Sequence, residues 1–344
     1  MNMKAGWGLA LAGLAIAGSS LFWAASAAGE RTYSVLWLGD SFLGDAAEPA
    51  LRAHGYGWAF DHFPGIDEAD LTVVNAEGPI SPREQPYFPD QRWSYSSRAA
   101  AASAFARKGI DVASLANNHA FDRGPEGLAD TINALRTVGI TPTGTGTLGE
   151  LRQHTIIDTP QGRLAIIAFA EEGATTPNAS EATPGARTLT RAHVGAAYEE
   201  ARQAGATRFA AFVHWGDNYE QIQPSQREWA TLFDVVGYDL VVGTGPHIVQ
   251  PIERIGDTLV AYSIGNFAFG TPGRFTADYP GYGLALTSVL SAEGFRELRI
   301  ACVQTDNEVV FYQPRPCDAP TAQRVLGALN PAVHFEGTTG ILRW

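Results

Sequence analysis

Apolar residues fall into short continuous runs, separated by stretches whose apolar positions recur at helical spacing. Tyr33–Leu38, Leu71–Val74, Asp111–Leu115, Leu164–Ala168, Phe209–Val213 and Leu240–Val242 read as strands. Ala46–His54, Arg98–Lys108, Pro125–Val138, Arg191–Ala204, Ser225–Val236 and a short Ala322–Leu329 read as helices. Uninterrupted apolar strands alternating with helices predict an α/β fold, a largely buried sheet with helices on its faces. Turn residues mark hairpins at Thr159-Pro160-Gln161-Gly162 and at Gly256-Asp257, the latter between Val249–Ile255 and Thr258–Ser263. Strand signals dominate afterwards, so an antiparallel portion closes the fold. Three long loops are expected at Pro79–Ser97, Glu171–Thr188 and Asn266–Gly283, and loops of that length often form lids or binding surfaces.

What ends each strand is more telling than the strands themselves. Tyr33–Leu38 runs into Gly39-Asp40, and Leu71–Val74 into Asn75-Ala76-Glu77-Gly78. Asp111–Leu115 runs into Asn117-Asn118-His119, Phe209–Val213 into His214-Trp215-Gly216-Asp217, and Leu240–Val242 into Gly243-Thr244-Gly245-Pro246-His247. The carboxyl ends of strands are where open α/β sheets bind ligands. Carboxylate, amide and imidazole groups converging there suit a divalent transition metal. Singly, each has a plainer reading. An Asp after a strand is usually a turn or cap residue, Asn117-Asn118 can supply positive φ, His214 can be a core histidine and His247 a surface one. Five such strand ends together are hard to attribute to coincidence. His54, His62, His154, His193 and His334 lack this setting and read as structural or surface residues.

The first residues belong to a different problem. Lys4 precedes a weakly apolar stretch from Ala5 to Ala25 that ends in Ala25-Ser26-Ala27, a small-x-small pattern. Residues 1–27 therefore read as a secretory signal peptide, with an uncleaved anchor as the competing reading, and 28–344 as one domain. The chain has 344 residues and a net charge of −12 without basic blocks, which excludes the clustered cationic footprint of a nucleic-acid binder. Its two cysteines, Cys302 and Cys317, exclude a cysteine-ligated zinc module. An exported chain can join them in a disulfide across a predicted hairpin of Ala301-Cys302-Val303 with Val309-Val310-Phe311.

At the strand-end motifs the sequence resembles the capsule-synthesis (CapA) family, named for poly-γ-glutamate capsule production. The motifs are Gly39-Asp40-Ser41-Phe42-Leu43-Gly44, DLTVVNAEGP at Asp70–Pro79, GIDVASLANNHAFD at Gly109–Asp122, His214-Trp215-Gly216, GTGPHIVQ at Gly243–Gln250 and YSIGNF at Tyr262–Phe267. That family is similar to calcineurin-like metallophosphatases, which implies a sandwich of mixed β-sheets flanked by helices with a metal centre at the strand ends. Position by position, the resemblance implies Asp40, Glu77, Asn118, His214 and His247 as metal ligands and His119 as a general acid. Two departures stand out. Phe42 occupies the place of a second ligand in an Asp-x-His pair, and Thr244 and Gly245 stand where a further His is often found. The set suits one divalent ion (Mn, Fe or Zn) and is marginal for two.

Two functions follow from the resemblance. The first is a metal-dependent hydrolase acting on a phosphorylated substrate, with Arg83, Arg92, Arg98 and Arg274 in or beside the long loops as candidate anion-neutralising groups. The second is a non-catalytic envelope component in the periplasm or at the cell surface. It would grip an anionic capsule polymer and work with membrane-embedded capsule-synthesis partners. The net charge opposes long-range attraction of a polyanion, so any such binding must be local.

Overall fold

The computed structural model describes residues 32–152, 154–269 and 272–344; the expected signal segment lies outside them. The apolar strands divide between two sheets rather than one. A nine-stranded mixed sheet runs His334–Glu336, Thr339–Arg343, Gly294–Gln304, Tyr282–Ser291, Tyr33–Ser41, Leu71–Ala76, Val112–Ser114, Thr141–Thr143, with Arg315–Pro316 added beside Gly294–Gln304. A six-stranded mixed sheet runs Ile252–Ile255, Thr258–Ala261, Leu240–Thr244, Arg208–His214, Gly162–Ala170, Thr155–Thr159.

The two sheets pack face to face, and this is why their central strands are apolar on both sides. Trp37, Val73 and Val112 of one sheet share a core with Ile166, Phe212 and Val242 of the other. Alternate residues turn away: Leu36, Leu38 and Val74 pack on the helices Ala100–Arg107 and Gly124–Thr137 through Phe105, Leu128 and Leu135. Ile167, Val213 and Val241 pack on Arg191–Gln203 and Pro224–Val236 through Val194, Ala230 and Phe233. The result is a helix–sheet–sheet–helix sandwich. Period-2 alternation puts the apolar residues of the central strands into one core or another.

Both expected turns close antiparallel pairs, Thr155–Thr159 with Gly162–Ala170 and Ile252–Ile255 with Thr258–Ala261. The antiparallel closing portion is the long pair Tyr282–Ser291 and Gly294–Gln304. One expected hairpin is corrected. Val309-Val310-Phe311 forms no strand, because Asp306 caps a helical turn at Asn307–Val310 and Phe311 and Tyr312 then turn left-handed. Cys317 instead follows the short strand Arg315–Pro316, and its amide donates to the Cys302 carbonyl at 3.0 Å. The disulfide Cys302–Cys317 is formed, with a Cα–Cα separation of 5.4 Å, and it tethers the helix Ala319–Gly327 to the large sheet. Closing a 15-residue loop should stabilise the fold by about 3 kcal/mol. The Cys302→Ser/Cys317→Ser double variant should therefore unfold at a lower denaturant concentration. An unchanged midpoint would show that the crosslink adds nothing.

Candidate metal centre

The parallel strands of both sheets deliver their carboxyl ends to one place, and two glycines let the backbones meet there. A Cβ on Gly39 would lie 1.9 Å from the Gly265 carbonyl oxygen, and one on Gly243 would lie 2.0 Å from that of Tyr262. With no side chain in the way, Asp40 N–H donates to Gly265 O at 3.1 Å, Phe267 N–H to Asp40 O at 2.8 Å, and Ile264 N–H to Gly243 O at 2.9 Å. The segment 264–267 thus joins the two strand ends. His247 follows in a left-handed conformation, φ 59°, rare for a residue with a side chain.

Asp40, Glu77, His214 and His247, far apart in sequence, converge here and are all buried. His247 Nδ1 lies 3.1 Å from Asp40 Oδ2 and its Nε2 lies 3.9 Å from Glu77 Oε1. His214 lies 3.7 Å from Asp40 Oδ1 through Nδ1 and 3.7 Å from Glu77 Oε1 through Nε2. Asp40, Glu77 and His247 each offer one donor atom such that all three lie within 4.8 Å of one another.

The two carboxyls of this group sit in unlike environments. Neither Glu77 oxygen has a hydrogen-bond partner, and burial, with Asp40 and Asp122 nearby, holds its carboxyl well above the usual range. Burial alone would raise Asp40 too, but the hydrogen bond and charge of His247, with His214 and Asn75, hold it below its ordinary value. Burial drives His214 down to about 4 against the pull of Asp40. A fully buried carboxylate without a donor is costly. Asp40, Glu77 and His247 could hold a divalent ion, which would supply the missing charge, and carboxylate and imidazole donors suit Mn, Fe or Zn.

Hydrogen bonds orient both imidazoles. His247 Nδ1 faces two acceptors, Asn266 Oδ1 at 2.9 Å and Asp40 Oδ2, so Nδ1 carries the proton and Nε2 keeps its lone pair toward Glu77. For His214 the orientation is set two residues away. Asn117 accepts from the His119 amide through Oδ1 and donates through Nδ2 to Ala76 O and Asn75 Oδ1. Asn75 must then present its Nδ2 to Asp40 Oδ1 at 2.7 Å and His214 Nδ1 at 3.2 Å. That leaves the His214 proton on Nε2, facing Glu77, and a metal taking that nitrogen would displace it.

The remaining expected residues divide. His119 is buried, and its Nδ1 lies 2.8 Å from Asp122 Oδ2. Asp122 is itself held by Tyr95 N–H at 2.6 Å and Gln91 Nε2 at 2.8 Å. Nδ1 therefore carries the proton shared with Asp122, and Nε2 is the nitrogen left for chemistry. Asn118 Oδ1 is buried without a partner, while its neighbour Asn117 is fully engaged; the pair does lie in a turn, but neither residue adopts the positive φ expected of it. Phe42 packs against Tyr95 and Phe269, with ring centroids 4.8 and 6.4 Å apart. Thr244 places its hydroxyl 3.1 Å from His214 Nδ1, and the Gly245 amide donates to Asp40 Oδ2 at 3.3 Å.

Two of the three long loops wall the centre. Residues 79–97 bring Gln91 and Tyr95 onto the His119–Asp122 pair. From the third loop, Phe269 stacks on His247 and Arg274 lies 3.8 Å above the Trp93 ring. Its charge reaches both Tyr95 and Tyr219. Arg92 also sits on Trp93, whereas Arg83 and Arg98 form partly exposed ion pairs with Asp130 and Glu48. The other histidines stay outside: His54 stacks on Trp58, His154 faces Glu200, and His193 bonds Thr188.

Sequence reasoning missed Asp122, Asn75 and Asn266 as contributors. Asp122 was visible as the group three residues after His119, but nothing in the pattern showed that the turn would fold it back onto the imidazole. Asn266 lies in another motif altogether and meets His247 only through the fold.

The fold is a helix-flanked sandwich of two mixed sheets that gathers buried carboxylates and imidazoles at its strand ends, a donor set able to hold a divalent metal. The family described as bacterial capsule synthesis protein PGA_cap matches residues 34–271, and the chain belongs to that family. It is 25% identical over 241 residues to capsule biosynthesis protein CapA of Bacillus anthracis, a match covering 67% of this chain and 58% of that one. It is 26% identical over 241 residues to PGA biosynthesis protein CapA of Bacillus subtilis (strain 168), covering 69% and 63%. The matches thus span less than two thirds of either relative. Among solved structures, NAD nucleotidase (NadN) of Haemophilus influenzae is similar over 79% of this chain and 55% of that one, with TM-score 0.45 and 12% identity. Calcineurin-like phosphoesterase YfkN from Bacillus subtilis is similar over 84% and 89%, with TM-score 0.41 and 12% identity. Likeness at this level carries nothing about the chemistry of this chain.

Proposed function

We propose that this protein is a metal-dependent hydrolase of the cell envelope that acts on an anionic, phosphoryl- or acyl-linked substrate in the synthesis or export of a capsule polymer such as poly-γ-glutamate. The observation that carries this reading is Glu77, a fully buried carboxyl with both oxygens unpartnered beside Asp40 and His247. Asp40, Glu77 and His247 would hold the ion, with His214 and Asn118 as further candidates. A bound ion in such a site lowers the pKa of a coordinated water and polarises a substrate oxygen. The protein's own groups do the rest. Asp122 holds the proton of His119 Nδ1, so that Nε2 can give a proton to the leaving group. Arg274, steadied on Trp93, neutralises an anionic group of the substrate. Phe42, Tyr95 and Phe269 pack beside these residues and exclude water.

The disulfide supports placement in an oxidising compartment outside the cytoplasm. Among the described residues no helix is long and apolar enough to cross a membrane. The relatives' names support a place in capsule biosynthesis, and anionic polymer and membrane-embedded synthesis proteins are the partners proposed.

Hydrolysis of bis(p-nitrophenyl) phosphate by the metal-loaded protein, lost on chelation and restored by Mn, Fe or Zn, tests the reading. Arg274→Ala should raise KM roughly tenfold, about 1.4 kcal/mol, with little change in kcat. A protein that binds metal tightly yet turns over neither phosphoesters nor acyl substrates would instead be the polymer-gripping component. The replacements at Phe42, Thr244 and Gly245 favour that second reading.

A further inference from the structure

A second polar cavity lies on the open side of the sandwich, where the edge strands of the two sheets come side by side. Its volume is about 490 Å³, and it is lined by Thr141–Thr143 of the large sheet and by Thr155 and Ile166 of the small one. That size suits a small ligand. None of the residues of the metal centre lines it.

Its wall includes Arg187, which is only 8% exposed. The backbone of Arg187 is fixed on both sides. Its N–H donates to Gly144 O at 2.9 Å, and its carbonyl accepts from Ala170 N–H at 3.0 Å. The side chain crosses the Phe169 ring, with 5.8 Å from the guanidinium carbon to the centroid. One terminal nitrogen donates to the Leu151 carbonyl and lies 3.5 Å from His154 Nδ1. The guanidinium nonetheless makes no ion pair with any described carboxylate, and its Nε has no hydrogen-bond partner. Burial lowers its affinity for its proton, bringing the pKa to about 10. A buried guanidinium normally sits opposite a carboxylate or phosphate, because the cost of desolvating the charge must be met.

Two further observations point into the same cavity. Thr145 Oγ1, also on its wall, is buried without a partner. Arg136 adds a second cation at the lining. The one lining carboxylate, Glu150, accepts through Oε2 from Thr147 N–H at 2.7 Å and from Thr147 Oγ1 at 2.9 Å in a capping box, and its charge also faces Arg136. Glu200 lies behind His154, 3.3 Å from Nε2, and also meets Arg152 at 3.7 Å. The described lining therefore sets two cations against one carboxylate, with the Arg187 Nε and the Thr145 hydroxyl unused.

We propose that this cleft binds a small oxyanion, a carboxylate or phosphate group, on the Arg187 guanidinium, with Arg136 and Thr145 completing the contacts. The site stands apart from the metal centre and does not depend on the function proposed for it. Arg suits it where Lys would not, since a planar fork meets two oxygens of one anion.

The test titrates the full-length protein with inorganic phosphate and, separately, with acetate at constant ionic strength, following the thermal midpoint and the heat of binding. Phosphate can also meet a metal centre, so the Glu77→Gln variant is titrated alongside. Saturable binding of either anion should persist in Glu77→Gln and weaken at least about tenfold in Arg187→Lys, a loss of roughly 1.4 kcal/mol. Binding of phosphate alone would assign a phosphate site, and binding of acetate a carboxylate site. If Arg187→Lys does not fold, Arg136→Ala decides, because Arg136 is exposed and its loss leaves the core intact. Absence of saturable binding by both anions overturns the proposal. So does binding that disappears in Glu77→Gln, or binding unchanged in the folded Arg187→Lys variant (in Arg136→Ala, if that variant has to decide).

Discussion

Glu77→Gln is expected to empty the metal centre while leaving the protein folded. Glu77 is the one buried carboxyl of the cluster with neither oxygen satisfied, so an ion gains most from it and no protein hydrogen bond depends on it. Affinity for Mn or Zn should fall at least about 100-fold, roughly 2.7 kcal/mol. In the wild type, removing the ion with a chelator should lower the thermal midpoint, because a ligand at a thousand times its Kd stabilises by about 4 kcal/mol. In Glu77→Gln the chelator should change nothing, and the metal-free variant should melt no lower than the metal-free wild type. Elemental analysis with paired melting curves checks both arms. Full metal retention in the variant would remove the proposed centre.

His119→Ala should separate chemistry from metal binding. A general acid typically contributes a factor of about 10² to 10⁴, so kcat should fall by that range while metal content stays at the wild-type level. Asp122→Asn should cause a smaller loss, since it removes the acceptor that keeps the proton on Nδ1 but leaves the imidazole in place. Leaving-group dependence distinguishes this role from a merely structural one. A substrate that releases a stable phenolate needs no proton on departure, so His119→Ala should slow it far less than it slows an alkyl ester. Loss of metal together with activity would make His119 a residue of the metal site instead.

The strand assignments were legible because burial on both faces leaves an unmistakable run of apolar residues. Leu164–Ala168 could hardly be anything but a central strand, and it lies within the observed Gly162–Ala170. Val309-Val310-Phe311 shows the limit of the same signal. Three apolar residues read as a strand, but Asp306 and Asn307 bind the following backbone and wind it into a helical turn. Local polar groups competing for backbone amides decide such short segments, and hydrophobic pattern alone does not weigh them. Division into two sheets was equally invisible to periodicity. A strand between a helix layer and a second sheet has the same apolar pattern as one between two helix layers.

For the site, polar residues at the strand ends marked where to look, and the resemblance of the motifs picked out Asp40, Glu77, Asn118, His119, His214 and His247 among them. Those side chains bring the same donor and acceptor groups wherever the chain places them. Tertiary structure alone decided which nitrogen of each imidazole is available, because the deciding partners come from elsewhere: Asn266 for His247, and Asn117 acting through Asn75 for His214. It also decided which arginines are paired. Arg83 and Arg98 looked no different in sequence from Arg274, but their carboxylate partners lie 47 and 50 residues away along the chain. A sequence determines what each group can do. Proton position, pairing and solvent exclusion depend on distances between residues remote in the chain, and only the packed fold sets those distances.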